Sequence, residues 1–248
     1  MSDRPVVRIA TSADLAATMI WLKADYTATN EGFWVNRHKI ERAFDEGRLS
    51  VLDVAGDVVG LLDDTAPGPE IVEIRRDVRN RGYGRILAEY AVQAAFNRGN
   101  SVVETECAPA TSVPFWRRMG FAIHPARFGP GGGIYAHKML QRTHALTGGP
   151  RVPYRIDFFE EDKWYKGMVP FASYQGDSEI VEKGRLQLPE RALCFAPDIP
   201  RLIDSIACVH VDGEQIYARR AKYAETLGAR RDPSGYLFFD LITPQAAA

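Results

Sequence analysis

Six consecutive residues, Arg79-Asn80-Arg81-Gly82-Tyr83-Gly84, join a strand pattern to a long helical one. Gly82 and Gly84 carry no Cβ, so a phosphate can approach their backbone closely. The amides that open the following helix lack intrahelical acceptors and lie at the positive end of its dipole, which suits an anion. Arg75, Arg76, Arg79, Arg81 and Arg85 put five guanidinium groups within eleven residues, a density that suits several phosphate charges. A tight glycine turn with a solvated basic face is the plainer account of the same residues. No Lys-Ser/Thr follows Gly84, so this is not a Walker A loop. Leu87 stands where the dinucleotide fingerprint needs its third glycine.

The elements that must hold this loop follow from hydrophobic periodicity. Val6–Ala10 reads as a strand, and Thr11 to Asp14 offer N-caps for a helix carrying Leu15, Met19 and Leu22. Val35–Glu46 reads as a second helix ended by Gly47. Leu49–Val54 and Val58–Asp64 form a hairpin about Ala55-Gly56-Asp57. Glu70–Arg76 is a strand with Ile71, Glu73 and Arg75 on one face and Val72, Ile74 and Arg76 on the other. After the loop, stripes of Ile86, Tyr90, Ala94 and Asn97 and of Leu87, Ala91 and Ala94 predict a well-buried helix that stops at Gly99. Ser101–Cys107 is a strand and Ser112–Met119 a short helix closed by Gly120. Phe121–Ile123 and Ile134–Leu140 close the pattern across the glycine-rich loop Gly129–Gly133.

The chain has 248 residues, 46% apolar and 25% charged, which is globular composition and excludes wholesale disorder. A net charge of −1 gives no global field for nucleic acid or anionic lipid. Cys107, Cys194 and Cys208 form neither a disulfide framework nor a metal-ligand spacing, so no metal is expected. The N-terminus lacks a signal-peptide core, and no run approaches the roughly 18 apolar residues of a membrane span. A reduced, soluble, cytoplasmic protein is the expectation.

Two motifs in this order resemble the GNAT acyltransferases, the GCN5-related N-acetyltransferases. Their R/Q-x-x-G-x-G/A signature matches Arg79 to Gly84, and their aromatic-x-x-x-Gly-Phe motif matches Trp116 to Phe121. The resemblance covers residues 5–142 or thereabouts. It implies an α/β fold, a mixed central sheet flanked by helices, with residues 1–145 as an acetyl-CoA-binding acyltransferase domain. It also implies that the fourth and fifth strands splay and that pantetheine pairs with the main chain of Val72, Glu73 and Ile74. The pyrophosphate would sit on Asn80, Arg81, Gly82, Tyr83, Gly84 and Arg85, with Arg79 opening the motif.

The implied reaction is direct attack of a primary amine, on a small molecule or a peptide, on the thioester of acetyl-CoA. The amine must lose a proton, and Glu73, Glu104 and Glu106 are the candidate bases, with lining of a solvated groove as the alternative. Glu104 and Glu106 share a strand face, where like charges raise each other's pKa. The family often has a Tyr as general acid where Trp116 stands here, and indole cannot protonate a thiolate. Trp116 would then pack against the pantetheine end, with Tyr135 as a substitute acid or as half-buried packing. His124 reads as a surface residue and Cys107 as core, with no histidine spaced to activate it. Tyr26, Phe33, Trp34 and His38 fall on the family's acceptor side.

Thr143–Pro150 reads as a linker, and residues 151–248 as a smaller strand-rich α+β domain of unassigned role. Its expected strands are Tyr154–Glu160, Trp164–Ser173, Glu179–Leu188, Ala207–Val211, Ile216–Arg220 and Tyr236–Ile242, with helical pieces at Ile199–Ile206 and Lys222–Leu227. Residues 223–241 resemble the closing helix-Gly-strand segment Phe115–Leu140, so a degenerate partial GNAT repeat stands beside an unrelated β-rich domain. The aromatic concentration from Tyr154 to Tyr174 reads as core; covering an acceptor pocket and a homodimer interface are the functional alternatives. The competing functional readings are an acetyl-CoA-dependent N-acetyltransferase, a non-catalytic acyl-CoA-binding regulatory module, and a protein-interaction scaffold.

Overall fold

The computed structural model describes residues 4–65, 67–124, 133–167, 169–199 and 202–244. Among these residues two compact units emerge, one of residues 4–123 with 133–138 and one of residue 124 with the described residues from 139 to 244. Among the described residues no helix is long and apolar enough to cross a membrane.

The first unit runs β1 (Val6–Ile9), α1 (Ser12–Thr29), α2 (Arg37–Asp45), β2 (Leu49–Val54), β3 (Asp57–Asp64), β4 (Pro69–Ile74), α3 (Tyr83–Arg98), β5 (Val102–Glu106), α4 (Val113–Arg118), β6 (Ala122–His124) and β7 (Tyr135–Met139). This is the expected order. Thr11 caps α1 through a capping box with Asp14, which satisfies two otherwise orphaned amides. The second helix starts two residues later than expected, because Phe33–Asn36 winds as a 3-10 turn. Of the expected loop Gly129–Gly133, only Gly133 lies within the described residues.

β1-β2-β3-β4 form one antiparallel sheet, and β5-β7-β6 a second. β4 therefore ends one sheet and β5 the other. On one side of β4, Ile71 is buried with Leu22 of α1 and Ile40 of α2. On the other, Val72 and Ile74 pack with Leu87 and Ala91 of α3. Gly60 makes this second contact close: a Cβ there would lie 2.6 Å from Ile74 Cδ1 and 3.2 Å from Leu87 Cδ1. The buried stripe of α3 is Leu87, Ala88, Ala91 and Ala95, whereas Tyr90 and Asn97 are exposed. The helix is thus buried along one face only, the face whose alanines let it approach the sheet.

The second unit runs β8 (Arg151–Phe159), α5 (Glu161–Tyr165), β9 (Ala172–Ile180), β10 (Leu186–Leu193), β11 (Ile206–Val211), β12 (Glu214–Arg220), β13 (Arg230–Arg231) and β14 (Leu237–Ile242). They form one seven-stranded sheet in the order β12-β11-β8-β9-β10-β14-β13, with every pair antiparallel. Alternate residues Tyr154, Ile156 and Phe158 of β8, Ala207 and Val209 of β11, and Leu237 and Phe239 of β14 meet in one core, so the sheet curls around a single face.

Several expectations for this unit fail. Trp164–Ser173 is not a strand: Glu161–Tyr165 is helical and the strand begins at Ala172. Glu179–Leu188 is a corner, turned by Glu182–Gly184 with Lys183 at φ 61°. The expected helices shrink to 3-10 turns at Leu202–Asp204, Ala221–Tyr223 and Glu225–Leu227. Among the described residues the unit holds no helix beyond five residues, and its last long strand pairs with β10 and β13. This all-antiparallel arrangement is a β-rich fold of its own and not a partial repeat of the first unit. The expected linker is tied down as well, since the Thr147 and Gly149 amides donate to the buried Glu179 carboxylate at 2.6 and 2.8 Å.

Candidate functional site

The site begins where β4 and β5 part. At their base the strands touch: Glu104 N–H donates to Pro67 O (3.3 Å) and Thr105 Oγ1 to Pro69 O (3.1 Å). Gly68 permits this, for a Cβ there would run into the Glu104 main chain. Beyond that point β4 pairs with β3 and β5 with β7. Arg75 N–H donates to Val59 O (2.9 Å), and Ile74 lies opposite Gly60. Antiparallel alternation then turns the main-chain groups of Val72 and Ile74 away from β3, toward the opening beside β5. An extended ligand could add to that edge.

The loop continues from this edge into α3. Asn80 has φ 64° and Gly82 φ 85°, and Gly82 is the helix N-cap without a side-chain acceptor. Arg85 and Ile86 N–H donate to Gly82 O at 3.1 and 3.4 Å. The amides of Asn80 to Gly84 have no such acceptor among the described residues, so they and the positive end of the 16-residue helix are available to an anion. A Cβ at Gly82 would meet nothing within 4 Å, so the approach is open.

The arginine cluster is weaker than the sequence suggests. Arg75 is held by Asp57 and Asp77 at 2.8 and 2.7 Å, and Arg85 by Glu89 at 2.7 Å. Arg79 turns back to β4, donating to Glu73 Oε1 (2.6 Å) and Ile74 O (2.9 Å). Arg76 and Arg81 keep exposed side chains without an ion-pair partner among the described residues. The spacings Arg75–Asp77 and Arg85–Glu89 were visible in the sequence; Asp57 reaches Arg75 only through the sheet, while Glu73 meets Arg79 across the Arg76–Val78 turn that follows β4.

Glu73 has a side chain only 12% exposed. Burial pushes its pKa up, while Arg79 and the Ile74 N–H oppose the rise and the nearby Asp25 carboxylate adds to it. Asp25, on α1, also accepts Arg76 N–H at 3.0 Å. It joins the site unannounced by any sequence motif. Glu104 is buried, whereas Glu106 on the same strand is exposed, so the two carboxylates do not share one environment. Glu106 and Tyr135 instead flank Gly133: a Cβ there would lie 2.7 Å from Glu106 Oε1 and 3.3 Å from Tyr135 Cε2.

Trp116, on α4, sits in an aromatic cluster. It is 5% exposed and edge-on to both Phe115 and Phe121, each ring centroid 5.0 Å away. Phe115 is the ring that faces the loop, 3.4 Å from a Cβ at Gly84. Phe33 and Trp34 pack on the core beside α1 and α2, with the Arg37 guanidinium 4.9 Å over the Trp34 ring, while His38 is exposed. Cys107 is buried and its thiol pKa is raised by burial, as expected for a core residue. Among the described residues no group of three His, Cys, Asp or Glu side chains could hold a metal.

Residues 13–121 match the model of the Acetyltransferase (GNAT) family. These residues are a GNAT domain. The match spans α1 through Phe121, and so contains both parted strands and the loop. No curated protein matches the chain. Solved structures similar to it include a GNAT-family acetyltransferase from Bacillus cereus at 16% identity, covering 55% of this chain and 97% of that one with a TM-score of 0.44. The ribosomal-protein-alanine N-acetyltransferase from Brucella melitensis is 24% identical over 54% of this chain and 99% of its own, with a TM-score of 0.41. The PaiA N-acetyltransferase from Thermoplasma acidophilum, in complex with coenzyme A, is 13% identical over 56% of this chain and 100% of its own, with a TM-score of 0.45. The family match thus falls within the first unit, and residues after 121 lie outside it.

Proposed function

We propose that the chain is an acetyl-CoA-dependent N-acetyltransferase acting on a primary amine of a small molecule or peptide, with residues 1–145 as the catalytic domain. The observation that carries this reading is the unpaired edge of β4 at Val72–Ile74, which leads directly into the free amides of Asn80–Gly84. The pantetheine pairs along the edge and the pyrophosphate sits on the amides, with Gly82 admitting it and Arg81 adding charge. The amine nitrogen attacks the thioester carbonyl carbon, a C–N bond forms, and the C–S bond breaks. Glu73 accepts the amine proton, directly or through water; its burial makes it a stronger base than an exposed carboxylate. The CoA thiolate takes its proton from Tyr135, which stands beside Glu106, or from solvent. The three buried, unpaired thiols fit a reducing compartment such as the cytoplasm.

The second reading, an acyl-CoA-binding module without turnover, draws on Trp116 standing buried at the family's acid position. Calorimetry with CoA and a thiol-release assay against an amine panel separate the two. CoA binding with turnover supports the enzyme, CoA binding without turnover on any amine supports the module, and absence of CoA binding overturns both.

A further inference from the structure

Arg79 opens the loop, yet its guanidinium lies away from the loop amides. It donates to the Glu73 carboxylate at 2.6 Å and to the Ile74 carbonyl at 2.9 Å. Ile74 is a residue whose main chain faces the opening beside β5, so Arg79 covers the edge that an extended ligand would use. The side chain is 44% exposed and can swing, whereas Glu73 is nearly enclosed and cannot follow. Arg75 and Arg85 are held by carboxylates of their own, so Arg79 is the arginine whose partner is a residue of the site.

We propose that Arg79 is a two-position residue: without ligand it occupies Glu73 and the Ile74 carbonyl, and a diphosphate on the loop draws it away, freeing both as the acyl donor is seated. This inference rests on the proposed CoA site and adds to it a change of partner for Arg79. A divalent phosphate anion competes with one carboxylate for the same guanidinium, and charge-assisted contacts to phosphate are strong enough to win. Once Arg79 leaves, Asp25 from α1, of like sign, still acts on Glu73; the register partner on β3 is the uncharged Leu61. The carboxylate then holds a proton more tightly, which makes it a better acceptor for the amine proton only after the donor has bound. Arg79 is a positioning residue here, acting through Glu73. The consequence is a rise in the proton affinity of Glu73 as CoA binds: where the pH lies near its titration a fraction of Glu73 takes a proton from solvent, and the fraction that stays ionised is the acceptor for the amine proton.

Two readouts on the full chain test this. Titration calorimetry with CoA, in buffers of different ionisation enthalpy stepped across the acid and neutral range, measures protons taken up per CoA. Uptake in the wild type should exceed that of Glu73→Gln, which retains only proton exchange by the CoA phosphates themselves. Arg79→Gln should match Glu73→Gln, and Arg79→Lys should restore part of the difference. Equal uptake in wild type and Glu73→Gln, or wild-type uptake in Arg79→Gln, overturns the proposal. Affinity gives the second readout. Glu73→Gln removes the competitor for Arg79, so reciprocity predicts several-fold tighter CoA binding; unchanged or weaker binding overturns the proposal even if Arg79→Gln fails to fold. CoA bound without these effects leaves the CoA site standing, whereas no CoA binding removes both.

Discussion

Gly68 rests directly against the main chain of Glu104, with no room between them for a side chain. This contact is the hinge of the opening between β4 and β5, because the strands meet there and separate above it. A Gly68→Val substitution must push the two sheets apart at their base. Overpacking of this kind costs about 1–3 kcal/mol. The midpoint of denaturant unfolding should fall accordingly, with CoA binding weakened in the same variant.

Gly82 offers the complementary case, an exposed residue with open space around it and φ 85°. Gly82→Glu puts bulk and negative charge onto the loop amides. CoA affinity should fall at least a hundredfold, with a stability loss of about 1–2 kcal/mol from the left-handed backbone. Undiminished CoA affinity would refute the phosphate site while leaving the fold intact.

Glu73→Gln should lower kcat by about 10²- to 10⁴-fold, the usual range for loss of a general base. In the wild type the acid limb of the kcat/KM profile should lie above the ordinary carboxylate range, since burial pushes Glu73 up. Full activity in the variant would transfer the base role to Glu104 or Glu106.

Asp14 has the opposite electrostatics. Arg8 donates to it at 2.6 and 3.0 Å, and Arg8 foremost, helped by Thr11, holds the Asp14 carboxyl well below its usual range. Its folded state therefore favours the ionised form. That stability is present above the unfolded carboxylate value near ~4 and is lost as pH falls below it. Asp14→Ala removes both this pair and the capping box; about 1–2 kcal/mol is expected, the ion pair being discounted because Arg8 is 36% exposed. The stability difference between the wild type and Asp14→Ala should be full near neutral pH and should shrink as pH falls through the acid range; a flat difference between the two across pH would contradict the assignment.

Cys194 is enclosed in the second unit, and burial pushes its thiol up to about 12. Cys107 and Cys208 are buried and raised in the same way. The native protein at mildly alkaline pH should react with a thiol reagent only slowly, and all three thiols should react at once in denaturant. Rapid labelling of one native cysteine would reopen the question of a nucleophile.

The loop Arg79–Gly84 was legible in the linear chain because its causes are local. Glycine at Gly82 supplies a backbone conformation that other residues rarely adopt, and the helix that starts at Tyr83 leaves its first amides unmatched whatever surrounds it. The order of elements through β7 was legible for the same reason, as caps, glycine stops and periodicity act within a few residues. Pairing across the sheet was not. Asp57 meets Arg75, and Asp25 approaches Glu73, because a hairpin and a helix bring distant positions together. The α3 stripe and the choice of Phe115 over Trp116 beside the loop depend on which face packs inward, and both faces of those helices carry apolar residues. In the second unit the corner at Lys183 interrupts a run that looks continuous, since strand ends there are set by the curl of the sheet around Phe158 and Phe239 and not by local propensity.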